Sequence, residues 1–282
     1  MSPNSTTPAS QGSRRSSCCS DTSTLTFGQE PFETFQHRAV ELCNTVLDKG
    51  SPTVERLRGG GFNRVLGLHL PNCEYILRIP RYLEGSMPYD IAPLKLLENY
   101  PEIPAPTIIT FDISQDNALK DSYMIQERIP GLPCISEYPG LPHEAKCAVA
   151  RDLGRIFSSM HGIRNRAAGR LIWKEDTLRL EPLDPYYQKD PVLLCNDGPA
   201  DQSTFELILD VIRSKLAEAI QINRERSWAY KIEFFEKLTI VAKEMEQAGV
   251  WDTAYAFCLC HRDIEPRNIL VGEGHHRYPR LG

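Results

Sequence analysis

Apolar residues change their spacing about halfway along the chain. From Glu30 to Leu47, Phe32, Phe35, Val40, Leu42 and Cys43 fall roughly on one side of a helix. Gly50, Ser51 and Pro52 stop it. Alternation follows, and predicts strands over Val54 to Leu57, Val65 to Leu70 and Cys73 to Ile79. In the third strand Tyr75, Leu77 and Ile79 share one face, and Ile76 and Arg78 share the other. Pro71 and Asn72 make a turn, and Gly59, Gly60 and Gly61 form the opposite tip. A three-strand antiparallel meander with a glycine-rich tip is the expected first unit. Asp90 to Glu98 fits a short helix, and Pro101, Pro104 and Pro106 then force an extended run. Thr107 to Phe111 and Tyr123 to Arg128 read as two more strands, before Pro130, Gly131 and Pro133 break the pattern.

Beyond that break the period is helical. Ala145, Val149, Leu153, Ile156, Phe157 and Met160 form one stripe. Phe205, Ile208, Leu209, Ile212, Leu216 and Ile220 form a second, and Trp228, Ile232, Phe235, Leu238, Ala242 and Met245 a third. Pro182, Pro185, Pro191 and Pro199 predict a long irregular connection over 162–202. Strands first and helices later mean an α+β chain in two segregated lobes. The expected plan is a disordered Ser/Thr-rich tail over 1–26, an antiparallel-sheet lobe over 27–130, a partial helical lobe over 131–272, and an irregular end over 273–282.

Composition narrows the function. The 282 residues carry 32 Lys plus Arg against 37 Asp plus Glu, a formal charge of −5, which argues against a nucleic-acid binder. No apolar run approaches the roughly 20 residues of a membrane helix, so no membrane partner is expected. The 9 cysteines are odd in number and scattered, with no signal peptide before them. They read as reduced thiols, mostly core residues, of a cytoplasmic protein.

The candidate chemistry lies in His261-Arg262-Asp263-Ile264-Glu265-Pro266-Arg267-Asn268, followed by Ile269-Leu270-Val271. This is the H-R-D-x-x-x-x-N form used in phosphoryl transfer. An Asp accepts a hydroxyl proton beside the γ-phosphate, an Asn five residues on offers a neutral oxygen to Mg²⁺, and the apolar strand anchors the loop. Upstream, backbone N–H groups of the Gly59-Gly60-Gly61-Phe62-Asn63 tip could cover phosphates. Arg78 sits mid-strand between apolar residues and needs a partner. That partner is either the α/β-phosphates with an acid from the next helix, for which Asp90 is the candidate, or a plain ion pair.

Leu77-Arg78-Ile79-Pro80-Arg81, then Ile103-Pro104-Ala105-Pro106, then His261 to Val271, together resemble the aminoglycoside phosphotransferase-like family, in the form of its fungal branch. The resemblance covers about residues 50–272. It implies a protein-kinase-like fold and transfer of the ATP γ-phosphate to a hydroxyl of a small molecule, with ATP and Mg²⁺ as cofactors. By the same resemblance Asp263 would be the catalytic base, His261 would orient the loop, and Asn268 would be a Mg²⁺ ligand. Arg78 would stand where many relatives have the phosphate-binding Lys, and Asp90 where they have its acidic partner. Gln126, Glu127 and Arg128 would form the hinge and meet adenine through backbone.

Two departures shape the expectation. Glu265 places a negative charge two residues after Asp263, which Arg262 or Arg267 would have to compensate. The family also carries a second metal-binding Asp after the catalytic loop, and residues 269–282 contain no Asp. A truncated helical lobe and an impaired phosphotransferase are therefore expected. The alternative is an inactive, pseudokinase-like nucleotide binder or interaction protein. A protein kinase is disfavoured by the missing Lys after the Asp. Cys258, Cys260, His261, His275 and His276 also have ligand types that suit Zn²⁺, although Cys258 and Cys260 alternate with Phe257 and Leu259 as a buried strand would. His161 reads as a helix C-terminal residue, and His69 and His143 as structural. Glu206 and Asp210 read as a solvated helix face or as a grip for a cationic acceptor. The oligomeric state stays open.

Overall fold

The computed structural model describes residues 27–57, 59–81, 85–181, 192–193, 203–223, 229–251, 257–272 and 280–281. The tail 1–26, most of the end 273–282, and the four prolines 182, 185, 191 and 199 lie outside them.

The first helix, α1 (Phe32–Val46), buries Phe35, Ala39, Leu42 and Cys43, a spacing of three and four that puts them on one stripe. Five antiparallel strands follow: β1 (Thr53–Arg56), β2 (Asn63–Leu70), β3 (Cys73–Pro80), β4 (Ile108–Asp112) and β5 (Tyr123–Glu127). Their order is β1-β2-β3-β5-β4, so the expected meander is extended by two later strands across β3. Register fixes the two faces. Leu66, Leu77 and Ile125 lie opposite one another, and α1 seals that face together with Leu68, Ile79 and Tyr123. Leu68 and Leu77 are fully enclosed, and each such burial contributes about 1.5–3 kcal/mol. The other face carries Val65, Arg78 and Met124 in one row, and Gly67, Ile76 and Gln126 in the next. There α2 (Met87–Leu97) packs Met87 and Ile91 on Ile108 and Met124.

The chain then crosses into the second lobe. Gly131 has φ +141°, and a Cβ there would meet the Val271 carbonyl at 2.8 Å, so the crossing needs glycine. Next come β6 (Leu132–Pro133), the short α3 (Cys134–Glu137), a 3₁₀ turn over Tyr138–Gly140, and the long α4 (His143–Gly162). Four strands follow: β7 (Arg164–Asn165), β8 (Arg170–Lys174), β9 (Thr177–Glu181) and β10 (Val192–Leu193). Helices α5 (Thr204–Asn223) and α6 (Ala229–Gln247) pack on each other through Leu209, Ile212 and Ala242. The chain continues as β11 (Phe257–Cys258), a 3₁₀ turn over Pro266–Asn268, β12 (Ile269–Val271) and β13 (Arg280–Leu281). The architecture is α+β.

Two expectations are corrected. The stretch read as irregular contains the hairpin β8–β9, paired from Arg170↔Glu181 to Lys174↔Thr177. Its two-residue turn uses Glu175 and Asp176, both at positive φ. That geometry matches strand twist but here lacks the usual Gly or Asn signal. Among the described residues the cysteines are not mostly core: Cys43 and Cys134 are buried and Cys73 half-buried, whereas Cys147, Cys258 and Cys260 are exposed. β11 is only two residues long, so the alternation around Cys258 and Cys260 does not mark a buried strand.

Candidate active site

The catalytic-loop string is held at both ends. Before it, β11 pairs with β7, and the Leu259 N–H donates to the Ile163 carbonyl at 2.9 Å. After it, β12 pairs with β6 at the lobe crossing, and Ile269 and Ile264 pack with Cys134, Leu141 and Val149. The loop between is short and internally bonded. The Glu265 N–H reaches the Asp263 carbonyl at 3.1 Å, and the Asn268 N–H reaches the Glu265 carbonyl at 2.8 Å.

Asn268 Nδ2 donates to the backbone oxygen of Asp263 at 2.9 Å and to its carboxylate at 3.0 Å. The Asp263 N–H donates to His261 Nδ1 at 3.2 Å. His261, Asp263 and Asn268 therefore form one bonded unit, with the Asp263 carboxylate about half exposed. Arg267 bridges both acids of the loop. One of its nitrogens lies 3.3 Å from Asp263 Oδ1, and another pairs with the Glu265 carboxylate. The negative charge that the sequence made unwelcome is thus met by Arg267.

Arg78 points from the cleft face of β3, with Nη2 3.5 Å from Asp90 Oδ2 on α2. Asn63, just past the glycine tip, donates to the same carboxylate oxygen at 3.3 Å. A Cβ on Gly59 would meet Arg81 and the Asn63 carbonyl at 2.7 Å, so this glycine is tightly fitted. Gly60 and Gly61 face open space, and Phe62 at the tip is 75% exposed.

The hinge residues divide. The Glu127 N–H is used by the Thr107 carbonyl at 2.9 Å, and the Arg128 N–H by the Glu74 carbonyl at 3.1 Å. The next backbone N–H along the strand is that of Ile129, because Pro130 has none. Gln126 is buried, and its Oε1 has no hydrogen-bond partner among the described residues. The Arg128 side chain turns back to Glu55 at 2.8 Å, with Glu74 at 3.6 Å. His69 closes this network, with Nδ1 2.8 Å from Glu74 and Nε2 2.9 Å from Glu55. Hydrogen bonds from Glu74 and then Glu55 raise the His69 pKa, and the Arg128 hydrogen bond lowers that of Glu55. Sequence reasoning treated His69 as a residue without partners. Its signal was the cross-strand pairing of His69 with Glu74 across the Pro71–Asn72 turn.

Other candidates are engaged locally. Glu206 bonds the Ser203 N–H at 2.9 Å while Ser203 Oγ accepts from the Glu206 N–H at 3.1 Å, a capping box at the start of α5. Asp210 pairs with Arg213 at 3.4 Å. Among the described residues, no group of three or more His, Cys, Asp or Glu could hold a metal, and His275 and His276 lie outside them. Asp263 and Asn268 remain as hard oxygen donors of the kind that suits Mg²⁺. No helix among the described residues is long and apolar enough to cross a membrane.

Comparison with known proteins bears on the fold and the family. The fold is similar to the gentamicin complex of the aminoglycoside phosphotransferase APH(2")-IIa, with a TM-score of 0.53 and 15% identity over 90% of this chain and 72% of that one. It is also similar to the ADP-bound APH(2'')-Ib, with a TM-score of 0.51 and 16% identity over 86% of this chain and 67% of that one. The architecture is thus the kinase-like two-lobe fold. A subtelomeric hrmA-associated cluster protein of Aspergillus fumigatus is 25% identical over 130 residues, which is 44% of this chain and 26% of that protein. The alignment therefore spans about a quarter of the length of the curated relatives. The profile of the phosphotransferase enzyme family matches residues 53–278, from the first strand of the sheet to beyond the catalytic loop, and the chain belongs to that family.

Proposed function

We propose that this chain transfers the γ-phosphate of ATP, with Mg²⁺, to a hydroxyl of a small molecule. The observation that carries the reading is the bonded unit of His261, Asp263 and Asn268, in a family member that also pairs Arg78 on the sheet with Asp90 on the adjoining helix. A solved relative holds streptomycin together with ATP, which supports a small-molecule acceptor and a nucleotide donor here.

Each residue has a defined task. Asp263 accepts the proton of the acceptor hydroxyl as its oxygen attacks the γ-phosphorus, and the bond to the β-phosphate oxygen breaks to release ADP. Asn268 holds the Asp263 carboxylate in place. Arg78, fixed by Asp90, offers a guanidinium to the α- and β-phosphates, whose planar fork suits phosphate oxygens. Backbone N–H groups of Gly59 to Gly61 cover the phosphates from the tip. Mg²⁺, when held through the Asn268 amide oxygen, would neutralise charge on the phosphate oxygens.

A non-catalytic nucleotide binder is the second reading, favoured by the second carboxylate, Glu265, two residues after Asp263. One experiment separates the two. Nucleotide-induced thermal stabilisation and phosphate transfer to a panel of hydroxylated acceptors are measured for the chain and for Asp263→Ala. The phosphotransferase reading expects transfer by the chain, a loss of about 100-fold or more in Asp263→Ala, and stabilisation by nucleotide in both. Stabilisation without transfer in either would establish the binder. Transfer that survives in Asp263→Ala would remove Asp263 as the base.

A further inference from the structure

Two thiols flank the anchor of the His261–Asn268 loop. Cys258 ends β11, and Cys260 stands immediately before His261. Both are exposed, whereas Cys43 and Cys134 are buried in the cores of their lobes. Leu259 between them packs inward on Ile103, Ile156 and Met160. Successive side chains on an extended run point to opposite sides, so Cys258 and Cys260 share the outer one. Cys258 lies opposite Arg164 on β7, and residues directly opposite on antiparallel strands share a face. Arg164 is exposed as well. The outer side thus presents two accessible thiols in a row with a cation beside them. The backbone between the thiols is held by other contacts. The Leu259 N–H donates to the Ile163 carbonyl at 2.9 Å, and Phe257 and Cys258 pair with Asn165 and Arg164. Two Cβ atoms on one side of an extended run stand about 6.6 Å apart, whereas a disulfide needs about 3.8 Å. Joining Cys258 to Cys260 therefore bends the chain at Leu259 and loosens its hold on Ile163.

We propose that Cys258 and Cys260 form a reversible dithiol–disulfide site for a small anionic disulfide of the glutathione type, and that closing it releases the loop that carries Asp263. Cys260 gives up its proton and attacks one sulfur of the small disulfide. That S–S bond breaks, and the first small thiol leaves with the proton. Cys258 then attacks the sulfur of Cys260 in the mixed disulfide, and the second small thiol leaves with the proton of Cys258. The protein is oxidised by two electrons, and the small disulfide is reduced to two thiols. Arg164 draws the carboxylates of the incoming molecule to this face. An excess of the small thiol runs the same steps backwards. The site stands whether or not the chain transfers phosphate.

The test equilibrates the full chain with oxidised and reduced glutathione in graded ratio, maps the products by peptide mass, and reads amide hydrogen exchange on the same samples. A link between Cys258 and Cys260 is expected, seen as the loss of two hydrogens from the peptide that holds both, and excess reduced glutathione should reverse it. Exchange at Leu259 and over residues 263–268 is expected to quicken by about tenfold or more in the linked form. Cys258→Ser and Cys260→Ser should each carry glutathione on the remaining thiol, with neither the link nor the faster exchange. Thiols that do not react, or glutathione that stays on either thiol of the unaltered chain without a link, overturn the site. A link that leaves exchange at Leu259 and in the loop unchanged overturns the release of the loop.

Discussion

Arg267 shows how one side chain can reconcile a residue that the chemistry disfavours. Glu265 lies two positions from Asp263, the proposed base, and Arg267 pairs with both carboxylates. Removing Arg267 alone leaves Glu265 uncompensated beside incoming phosphate oxygens. Arg267→Ala is expected to lower kcat/KM by about tenfold, the order of one charge-assisted contact. Arg267→Ala with Glu265→Gln is expected to recover most of that loss; a double variant no better than the single one would mean that Arg267 acts only by holding Asp263. A second residue-scale expectation concerns pH. His69 is raised by Glu74 and Glu55, so its stabilisation is complete below the unfolded value of about 6.5 and fades as pH rises through its higher folded value. Glu55 is lowered by Arg128, so its share is present above the unfolded value and fades as pH falls through its lower folded value. The network therefore stabilises most between roughly pH 5 and 6.5, and modestly, because its members are partly exposed. Melting curves of the chain and His69→Gln should differ most in that window and converge toward pH 9 or so. A difference that grows with pH would contradict the network.

At the scale of elements, the β8–β9 hairpin braces the helix that carries Asp90. Tyr89, one residue before Asp90, donates its hydroxyl to Glu181, and the Arg170 guanidinium lies 3.6 Å from the Tyr89 ring centroid. Burial and then the Glu181 contact raise the Tyr89 pKa above its ordinary value, which already leaves the hydroxyl protonated at neutral pH. Trp173 adds an edge-on contact to Phe111 at 6.1 Å and packs against the Met87, Ile91 and Met124 cluster. The hairpin thus fixes α2, and α2 sets where Asp90 meets Arg78. Tyr89→Phe keeps the ring stack and loses only the hydrogen bond. It is expected to weaken nucleotide binding by about three- to tenfold, with the loss non-additive to that of Arg78→Ala in a double-mutant cycle. Strict additivity would reduce the hairpin to a structural support. None of this was legible beforehand. Leu171, Trp173, Leu178 and Leu180 alternate over runs too short to outweigh the nearby prolines, and Glu175-Asp176 carries no conventional turn signature. By contrast, Arg78 and Asp90 could be paired from sequence, because a cation between apolar neighbours on a strand requires an acid nearby. For Glu206, read as a solvated helix face or a grip for a cationic acceptor, the Ser203 to Glu206 spacing is also that of a capping box, and the structure forms it.

At the scale of the whole molecule, the two lobes differ in how they are held. Their order along the chain was legible because the apolar period changes from two to 3.6, a property of the backbone that tertiary contacts do not alter. How firmly each lobe is packed was not, since that depends on contacts distant in sequence. The sheet lobe buries fourteen residues in one continuous cluster between α1 and the strands. The α5–α6 pair rests on a cluster of three, Leu209, Ile212 and Ala242, and leaves Ile220, Phe234, Ile240 and Val241 exposed. Opening free energy follows the buried apolar contacts that an opening must break. Amide hydrogen exchange should therefore be slowest in β2, β3 and β5 and markedly faster in α5 and α6, in the same chain at the same pH. Nucleotide with Mg²⁺ should then slow exchange in the glycine tip, in β3 around Arg78 and in the Asp263–Asn268 loop. These segments come from both lobes, and if they share the proposed site, linkage stabilises only states in which it is assembled. Protection confined to the sheet lobe would mean that nucleotide binds without engaging the catalytic loop. The residues of the His261–Asn268 string would then have to be tested for a role other than phosphate transfer.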